Sequence, residues 1–145
     1  MKERELTTYC GIYCGDCPRY KAKFSDLAGE LLKEFERIHF SEFAKLYGFE
    51  HYAKVISLLE VLPHLRCDTT CREGKDGSGG SCRVKACVKE KSIEGCWECD
   101  EFETCGNLDF LKPFCGDAPL NNLKKIKKYG LDNWAEHREK QYPWL

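Results

Sequence analysis

Apolar residues recur at helical spacing near the start of the chain and predict a long first helix. Four of them follow one another at intervals of four, four and three: Leu27, Leu31, Phe35 and Ile38. Such spacing places their side chains on one face of a helix. We expect this helix to run from about Pro18 to His39, with Pro18 in the first turn, where its missing N–H costs nothing.

Two further helices are predicted between Ser41 and Pro63. Ser41 is a residue type that caps helix starts, and Gly48 is one that ends helices. The inward residues of the second helix are expected to be Phe43, Leu46 and Tyr47. The third helix carries its apolar residues at Tyr52, Val55, Ile56 and Leu59. It should stop before Pro63, because proline disfavours helical backbone in the residue before it. The helical part therefore covers about residues 18–62.

The last part of the chain returns to a helical pattern over about residues 118–141. Asp117, Ala118 and Pro119 are typical of a cap and first turn, and Gly130 is typical of a helix end. The apolar stripe between them consists of Leu120, Leu123 and Ile126. A last short helix is predicted over Leu131 to Gln141, with Trp134 inward. Four lysines share the first of these helices and are interpreted as a solvated face: Lys124, Lys125, Lys127 and Lys128.

The stretch from Cys67 to Cys105 lacks this periodicity and is organised by cysteines instead. It holds seven of the chain's eleven cysteines in 39 residues, in the order Cys67-x3-Cys71, Cys82-x4-Cys87, Cys96-x2-Cys99 and Cys105. A glycine-rich run between Cys71 and Cys82 is interpreted as a plain loop, and Arg83 to Lys91 as a short helix. Its main core candidates are few: Val84, Val88, Ile93, Trp97 and Phe102. We therefore expect bound metal to contribute to the fold of residues 67–105.

Length and charge favour one small protein without a membrane or nucleic-acid role. The 145 residues predict a single domain, mainly α, with a small helical lobe and an irregular cysteine-rich metal-binding lobe. With 23 basic and 24 acidic residues, the net charge of −1 gives no global attraction to nucleic acid or to an anionic membrane. The charged start, Met1 to Glu5, has no apolar run behind it, so no signal peptide is expected. We expect a cytoplasmic protein.

In the reducing cytosol, closely spaced cysteines favour metal binding over disulfides. Four close pairs can be drawn: Cys14/Cys17, Cys67/Cys71, Cys82/Cys87 and Cys96/Cys99. They supply two four-sulfur sites, the coordination that structural zinc prefers. Cys10 and Cys105 are alternative members of the wider pairs, which completes the set of ten predicted ligands: Cys10, Cys14, Cys17, Cys67, Cys71, Cys82, Cys87, Cys96, Cys99 and Cys105. Which pairs share a metal stays open.

Other residues near the ten predicted ligands are interpreted as follows. Cys115 has no near partner and is interpreted as a buried or free thiol. The charge of a zinc–thiolate site is expected to be offset by nearby cations: Arg83, Lys85, Lys89 and Lys91. His64, three residues before Cys67, is the one histidine close to a cysteine pair. Asp16, Asp100 and Glu101 are interpreted as solvated carboxylates.

The N-terminal group Cys10-x3-Cys14-x2-Cys17 supports two alternatives. Its spacing is the one that radical S-adenosylmethionine enzymes use for a [4Fe–4S] cluster. However, the helical pattern that follows lacks the alternating strands of their barrel. A non-catalytic Fe–S cluster with a redox role is the stronger alternative, because Cys17-Pro18 resembles the ending of ferredoxin cluster motifs. Enzyme activity has no positive support in the sequence, so a binding or regulatory module with an unidentified protein partner is the main expectation.

The ordered cysteine blocks resemble a known family. The chain reads Tyr9-Cys10-Gly11-Ile12-Tyr13-Cys14-Gly15-Asp16-Cys17-Pro18, then Cys67-x3-Cys71, later Cys82-Arg83-Val84-Lys85-Ala86-Cys87, and then Cys96-Trp97-Glu98-Cys99-x5-Cys105. These blocks are similar to a cysteine-rich domain of unknown function found in archaea and bacteria. The ending from Asn122 to Leu131 is also similar. The resemblance implies metal binding but no defined activity.

Overall fold

A computed structural model describes residues 2–74 and 82–145 of the chain. Its α-helices are α1 (Glu3–Leu6), α2 (Lys23–Arg37), α3 (Phe40–Tyr47), α4 (Tyr52–Val61), α5 (Arg83–Glu90), α6 (Lys112–Cys115) and α7 (Ala118–Tyr129). Short 3₁₀ turns cover Cys14–Asp16, Leu62–Leu65, Cys96–Glu98, Phe102–Thr104, Gly106–Leu111 and Trp134–His137. Within these residues, β pairing is confined to isolated bridges. The predicted mainly α fold is confirmed.

Among the described residues, no helix is both long enough and apolar enough to cross a membrane. Most of the glycine-rich run that we interpreted as a loop lies outside the described residues, since residues 75–81 are not among them.

The first helix begins later than predicted. Pro18 is not in its first turn, because α2 starts at Lys23. The chain before it pairs with a distant segment: the backbone N–H of Lys21 donates to the Cys67 carbonyl at 2.9 Å, and the N–H of Cys67 donates to the Arg19 carbonyl at 2.8 Å. Lys21 also has a φ of 48°, which is incompatible with a right-handed helix. Tertiary pairing therefore overrides the helix-start signal of the proline.

The second helix is present, but its inward face was predicted wrongly. Helix α3 begins at Phe40, and His39, not Ser41, stands at its start. The residues expected to face inward are exposed, with Leu46 79 % accessible, and the buried residue of this helix is Ala44. An eight-residue helix offers only two turns, and its contacts are set by the aromatic cluster that Phe40 forms with Phe35 and Phe49.

Several predicted boundaries are confirmed. Gly48 ends α3 with a φ of 66°, and α4 stops at Val61, two residues before Pro63. Helix α5 covers nearly all of the predicted short helix and carries Cys87. Helix α7 begins after Asp117 and ends at Gly130, as the sequence indicated. The predicted last helix is reduced to the 3₁₀ turn Trp134–His137, although Trp134 is fully buried as expected.

The chain divides into two compact units, and the first combines Met1–Cys17 with Thr69–Leu145. We call it the cysteine-bearing unit. Its core includes three large apolar side chains that are 1 % exposed or less: Leu123, Ile126 and Trp134. All five core candidates named from the sequence belong to or pack on this core: Val84, Val88, Ile93, Trp97 and Phe102. The indole N–H of Trp134 donates to the buried Thr7 hydroxyl at 2.9 Å, so the polar edge of the ring is also satisfied.

The second unit, Pro18–Asp68, contains helices α2, α3 and α4, and we call it the helical unit. All its residues are described, and its buried ones are small: Ala22, Ser25, Ala28 and Ala44. The Ser25 hydroxyl donates to the Leu62 carbonyl at 2.9 Å, which ties α2 to the turn after α4. Its large apolar side chains are half-buried or exposed, and several stack as an aromatic cluster: Phe35, Phe40, Phe43, Phe49 and Tyr52.

Candidate metal centre

The N-terminal cysteines lie on two consecutive tight turns. The backbone N–H and the hydroxyl of Thr8 both donate to the Ile12 carbonyl at 2.9 Å, which folds the chain around Cys10. The N–H of Cys17 donates to the Cys14 carbonyl at 3.1 Å and closes the turn Cys14–Asp16. Short spacing between cysteines thus becomes a compact loop, which is the local geometry that a thiolate site needs.

Helix α7 is hydrogen-bonded to the loop that carries the N-terminal cysteines. The buried side chain of Asn122 donates to the Gly11 carbonyl at 2.9 Å, and its oxygen accepts from the Glu139 N–H at 2.9 Å. Gly11 has a φ of +85°, and a Cβ there would stand 2.4 Å from the Pro119 carbonyl oxygen. Only glycine fits this position, because the backbone approaches α7 too closely for a side chain.

The N-terminal thiols have one neighbour from the turn after the helical unit. Burial raises the pKa of Cys14 to about 12, and the charges of Cys71, Cys17 and Cys10 add to this shift. The backbone N–H of Cys71 acts in the opposite direction as a hydrogen-bond donor to the Cys14 sulfur. Cys10 shares a hydrogen bond with the Thr8 hydroxyl at 3.2 Å, and the charge of Cys82 contributes to its raised pKa after burial. These five cysteines form the N-terminal thiol group: Cys10, Cys14, Cys17, Cys71 and Cys82.

A second set of thiols borders a small cavity of about 40 Å³ beside α5. Its sulfur-bearing lining residues are Cys87, Cys96, Cys99 and Cys105, and we call them the cavity thiol group. Burial raises the pKa of Cys96 to about 12, and the charges of Cys10, Cys105, Cys87 and Cys99 add to the shift. Mutual repulsion of this kind requires that the sulfur atoms lie near one another.

The cavity thiol group comes from one helix and two turns of the chain. Cys87 lies on α5, the Cys99 N–H donates to the Cys96 carbonyl at 3.0 Å, and the Cys105 N–H donates to the Phe102 carbonyl at 3.4 Å. Val84, Val88 and Phe102 form the apolar wall that holds these turns together. The sequence could not join these turns, because their contact depends on packing against this wall.

Lys91, a cation proposed from the sequence, contacts a predicted ligand. The Lys91 ammonium lies 3.3 Å from the Cys99 sulfur and 3.4 Å from a Glu101 carboxylate oxygen. The hydrogen bond to Cys99 is the main cause of the raised pKa of Lys91. Lys85 donates to the Gly74 carbonyl at 2.6 Å, and the Arg83 guanidinium lies over the Phe110 ring. Lys91 therefore lies beside a predicted ligand, and Glu101 is paired with it.

An arginine that the sequence analysis missed joins the cysteine-bearing segments. The Arg72 guanidinium lies over the rings of Tyr9 and Trp97, with 5.0 and 5.4 Å to their centroids. It also donates to the carbonyls of Thr7 at 2.6 Å and Glu94 at 3.3 Å. Since each of Tyr9, Arg72 and Trp97 is next to a cysteine, this cation–π sandwich fixes three cysteine segments together.

The C-terminal segment also reaches the N-terminal loop. Asp16, which we expected to be solvated, accepts two hydrogen bonds from the Arg138 guanidinium at 2.6 and 3.0 Å. The Tyr142 hydroxyl donates to the Cys17 sulfur at 3.6 Å, and the Tyr13 N–H donates to the Gln141 side-chain oxygen at 2.7 Å. No sequence signal identified these partners, because they lie more than 120 residues from the loop that they contact.

Other predicted site residues lie elsewhere. Cys67 belongs to the helical unit, where its backbone pairs with Arg19 and Lys21, so the predicted pair Cys67/Cys71 is divided between the two units. Cys115 is buried, as expected, and its pKa is raised by burial and then by the charges of Cys10 and Cys17. His64 lies in the turn Leu62–Leu65 of the helical unit.

The thiols are neighbours but are not arranged as a finished coordination sphere. Across residues 2–74 and 82–145, no three or more His, Cys, Asp or Glu side chains are placed so that they could hold a metal ion. Among the described residues, no two cysteines are joined by a disulfide. The donor chemistry fits a soft metal, whereas the side-chain positions would have to close on it.

A family model with the description "Protein of unknown function (DUF3795)" matches residues 6–110. This is more than half of the chain, and the chain therefore belongs to that family. The match includes all ten predicted ligand cysteines, whereas Cys115 and the C-terminal segment from Asn122 to Leu131 lie beyond it. No curated protein and no solved structure matches the chain significantly.

Proposed function

We propose that this member of the DUF3795 family is a metal-binding protein that holds structural zinc in two cysteine sites. The first site uses the cavity thiol group: Cys87, Cys96, Cys99 and Cys105. The second site uses four members of the N-terminal thiol group: Cys10, Cys14, Cys17 and Cys71. The observation that carries the proposal is the cavity of about 40 Å³ with four cysteines in its lining.

The cavity lined by the cavity thiol group offers space of about 40 Å³. A single zinc ion fits such a space, and four thiolates are its preferred structural ligand set. Bound zinc would supply a closed cross-link between chain segments. The cysteine side chains would have to turn toward the cavity centre, since they do not yet converge on one point.

Proton release should accompany binding. Burial and mutual repulsion raise the pKa of Cys14 and Cys96 to about 12, so both thiols keep their protons at neutral pH without a metal. Zinc binds the thiolate form and must displace these protons, so its affinity should rise with pH. Lys91, 3.3 Å from the Cys99 sulfur, is placed to offset part of the negative charge of the loaded site.

A binding or regulatory module for a protein partner remains the proposed role. All four lysines on α7 have partners within the chain, and Lys128 lies over the ring of Tyr129. Lys124 pairs with Glu103 at 2.9 Å, Lys125 pairs with Glu139, and Lys127 lies over the Phe102 ring. Side chains engaged in this way are less available for phosphate contacts, which argues against nucleic acid as the partner.

Elemental analysis after anaerobic purification from iron-supplemented cells tests metal identity. We expect a colourless protein with close to two zinc ions per chain. Cys96→Ser and Cys14→Ser should each remove about one ion, and Cys115→Ser is the matched control that should keep both. Iron with matching acid-labile sulfide and a brown colour would replace zinc by the Fe–S alternative. A wild-type protein without any bound metal would overturn the proposal.

Metal removal tests the structural role. Chelation should increase hydrogen exchange in α5 and in the turns that carry Cys96, Cys99 and Cys105. If zinc is present at 100 times its dissociation constant, the expected loss of protection is about 2.7 kcal/mol, or roughly 100-fold in exchange rate. Amides of α2 in the helical unit serve as the internal reference. Unchanged protection after verified metal removal would contradict a structural role.

A further inference from the structure

Helices α2 and α4 of the helical unit lie side by side and run in opposite directions. At one end of the pair, the Ser25 hydroxyl near the start of α2 donates to the Leu62 carbonyl just after α4, at 2.9 Å. At the other end, the ring centroids of Phe35 on α2 and Tyr52 on α4 are 6.5 Å apart. The start of each helix therefore lies beside the end of the other, as in half of a four-helix bundle.

Exposed apolar residues occupy the same relative position on both helices, directly before a residue that is turned inward. On α2, Leu27 is 52 % exposed and precedes the buried Ala28. On α4, Leu58 is 58 % exposed and precedes the half-buried Leu59. Successive residues of a helix are rotated by about 100° around its axis. Because this rotation has the same sense along two antiparallel right-handed helices, both stripes lie on the same side of the pair.

An aromatic cavity of about 500 Å³ lies at one end of this side, where Val55 forms part of its wall. The rings that line it belong to the aromatic cluster: Phe35, Phe40, Phe49 and Tyr52. Phe24 occupies the other end of the stripe on α2. Eleven residues, or three helical turns, separate Phe24 from Phe35, so the two rings lie on the same side of α2 and about 16 Å apart. An exposed ring and a ring-lined cavity thus stand at opposite ends of one surface.

We propose that the helical unit binds a second copy of the chain through this surface, with Phe24 of each copy in the aromatic cavity of the other. A two-fold axis midway between Phe24 and Phe35 brings each Phe24 ring to the opposite cavity, so that one surface serves both copies. Leu27 and Leu31 lie between these two ends and pack across the axis. The α2 helices of the two copies then run in opposite directions, and the two helix pairs form a four-helix arrangement.

The exposed apolar area is large enough for such an association. We call the surface the apolar face, and its six side chains are each 37 to 58 % exposed: Phe24, Leu27, Leu31, Phe49, Val55 and Leu58. At roughly 150 to 200 Å² for one whole side chain of this size, they leave about 500 Å² of apolar surface on each copy. Two copies would cover about 1,000 Å², which is the lower limit for a specific interface.

The composition of the helical unit also favours a second copy. Its buried side chains are no larger than alanine and serine, so its large apolar side chains gain most of their burial only by association. The unit carries eight basic and eight acidic residues, so no net charge repels an identical partner. Metal is not required for this association, because no cysteine belongs to the apolar face.

Sedimentation velocity of the full chain, under anaerobic reducing conditions that prevent intermolecular disulfides, tests the proposal. The wild type should form a reversible dimer as its concentration is raised to roughly 500 μM, since an interface of this size gives modest affinity. Phe24→Ala removes the ring that enters the cavity, and Leu58→Asp places a charge on the apolar face. Each change occurs twice in the dimer and should raise its dissociation constant by at least about 10-fold.

Leu46→Asp is the matched control, because Leu46 is 79 % exposed on α3 and does not belong to the apolar face. It should dimerise like the wild type. Circular dichroism reports whether each variant is folded, and Leu58→Asp alters an exposed position, so the test does not depend on Phe24→Ala alone. A wild type that stays monomeric would overturn the proposal and assign the face to a different protein or a small apolar ligand. A dimer unaffected by both Phe24→Ala and Leu58→Asp would overturn it as well, and so would equal weakening by Leu46→Asp.

Discussion

The two units of this protein show opposite relations between helix content and core formation. The helical unit contains the longest helix, the 15 residues of α2, yet its fully buried side chains are no larger than alanine and serine. The cysteine-bearing unit is built largely from short helices and 3₁₀ turns, yet it buries Trp134, Leu123 and Ile126 almost completely. Regular secondary structure and a large core are therefore distributed to different parts of the chain.

The cysteine-bearing unit shows how a chain with little regular secondary structure can form an ordered core. In the cysteine-bearing unit, buried polar side chains connect distant segments: Thr7 accepts from Trp134, and Asn122 bridges Gly11 and Glu139. Each bond satisfies backbone or side-chain groups that no helix or sheet would pair. In the helical unit these groups are paired within the helices, and large apolar residues such as Leu46 and Leu58 stay exposed.

The largest expected effect on stability comes from truncating one leucine in each unit. Leu123→Ala in the cysteine-bearing unit should lower the free energy of unfolding by about 2–5 kcal/mol, because a fully buried side chain leaves a cavity. Leu46→Ala, the matched change at a 79 % exposed position, should change it by no more than about 0.5 kcal/mol. Hydrogen exchange and chemical denaturation measure both. Equal effects would remove the contrast between the units.

A smaller effect is expected from adding one methyl group at a glycine of each unit. Gly11→Ala combines a positive φ with a Cβ 2.4 Å from the Pro119 oxygen, so it should cost clearly more than about 1 kcal/mol. Gly48→Ala has a φ of +66° but open space around the new Cβ, so its cost should stay near about 1 kcal/mol. Thermal or chemical unfolding would contradict this order if Gly48→Ala proved the more damaging change.

Alkaline pH should also weaken the fold, and this effect is expected in the cysteine-bearing unit. Burial raises the folded-state pKa of Cys14 and Cys96 to about 12, above the ordinary thiol value of about 8.5. The unfolded metal-free chain therefore loses these protons first as pH rises. The resulting stabilisation of the fold is complete below about pH 8.5 and is lost progressively toward pH 12.

The measurement is hydrogen exchange or denaturant unfolding of the reduced, metal-free protein at a series of pH values. Solvent screening at the half-buried Cys96 reduces the size of the effect. Cys14→Ser and Cys96→Ser should flatten the alkaline decline, and Cys67→Ser in the helical unit should not. A decline that persists in full in the first two variants would assign it to other groups.

The sequence by itself determined the local features of this protein. Apolar spacing located α2, α3, α4 and α7, Gly48 and Gly130 marked two of their ends, and the five core candidates around the cysteines all belong to the core or pack against it. These features depend on residues close together in the chain, whose side chains share a face or a turn whatever the rest of the fold does. The grouping of cysteines into tight turns is also a local feature that the sequence determines.

Tertiary structure alone decided which turns meet. It joined Cys71 to the N-terminal thiols and brought Gln141 and Tyr142 to a loop more than 120 residues away. It also placed Leu46 in solvent, although the helical pattern predicted an inward position. The physical reason is that short-range periodicity defines a helix face but not its partner. That partner is selected only when distant segments pack and pair their buried polar groups.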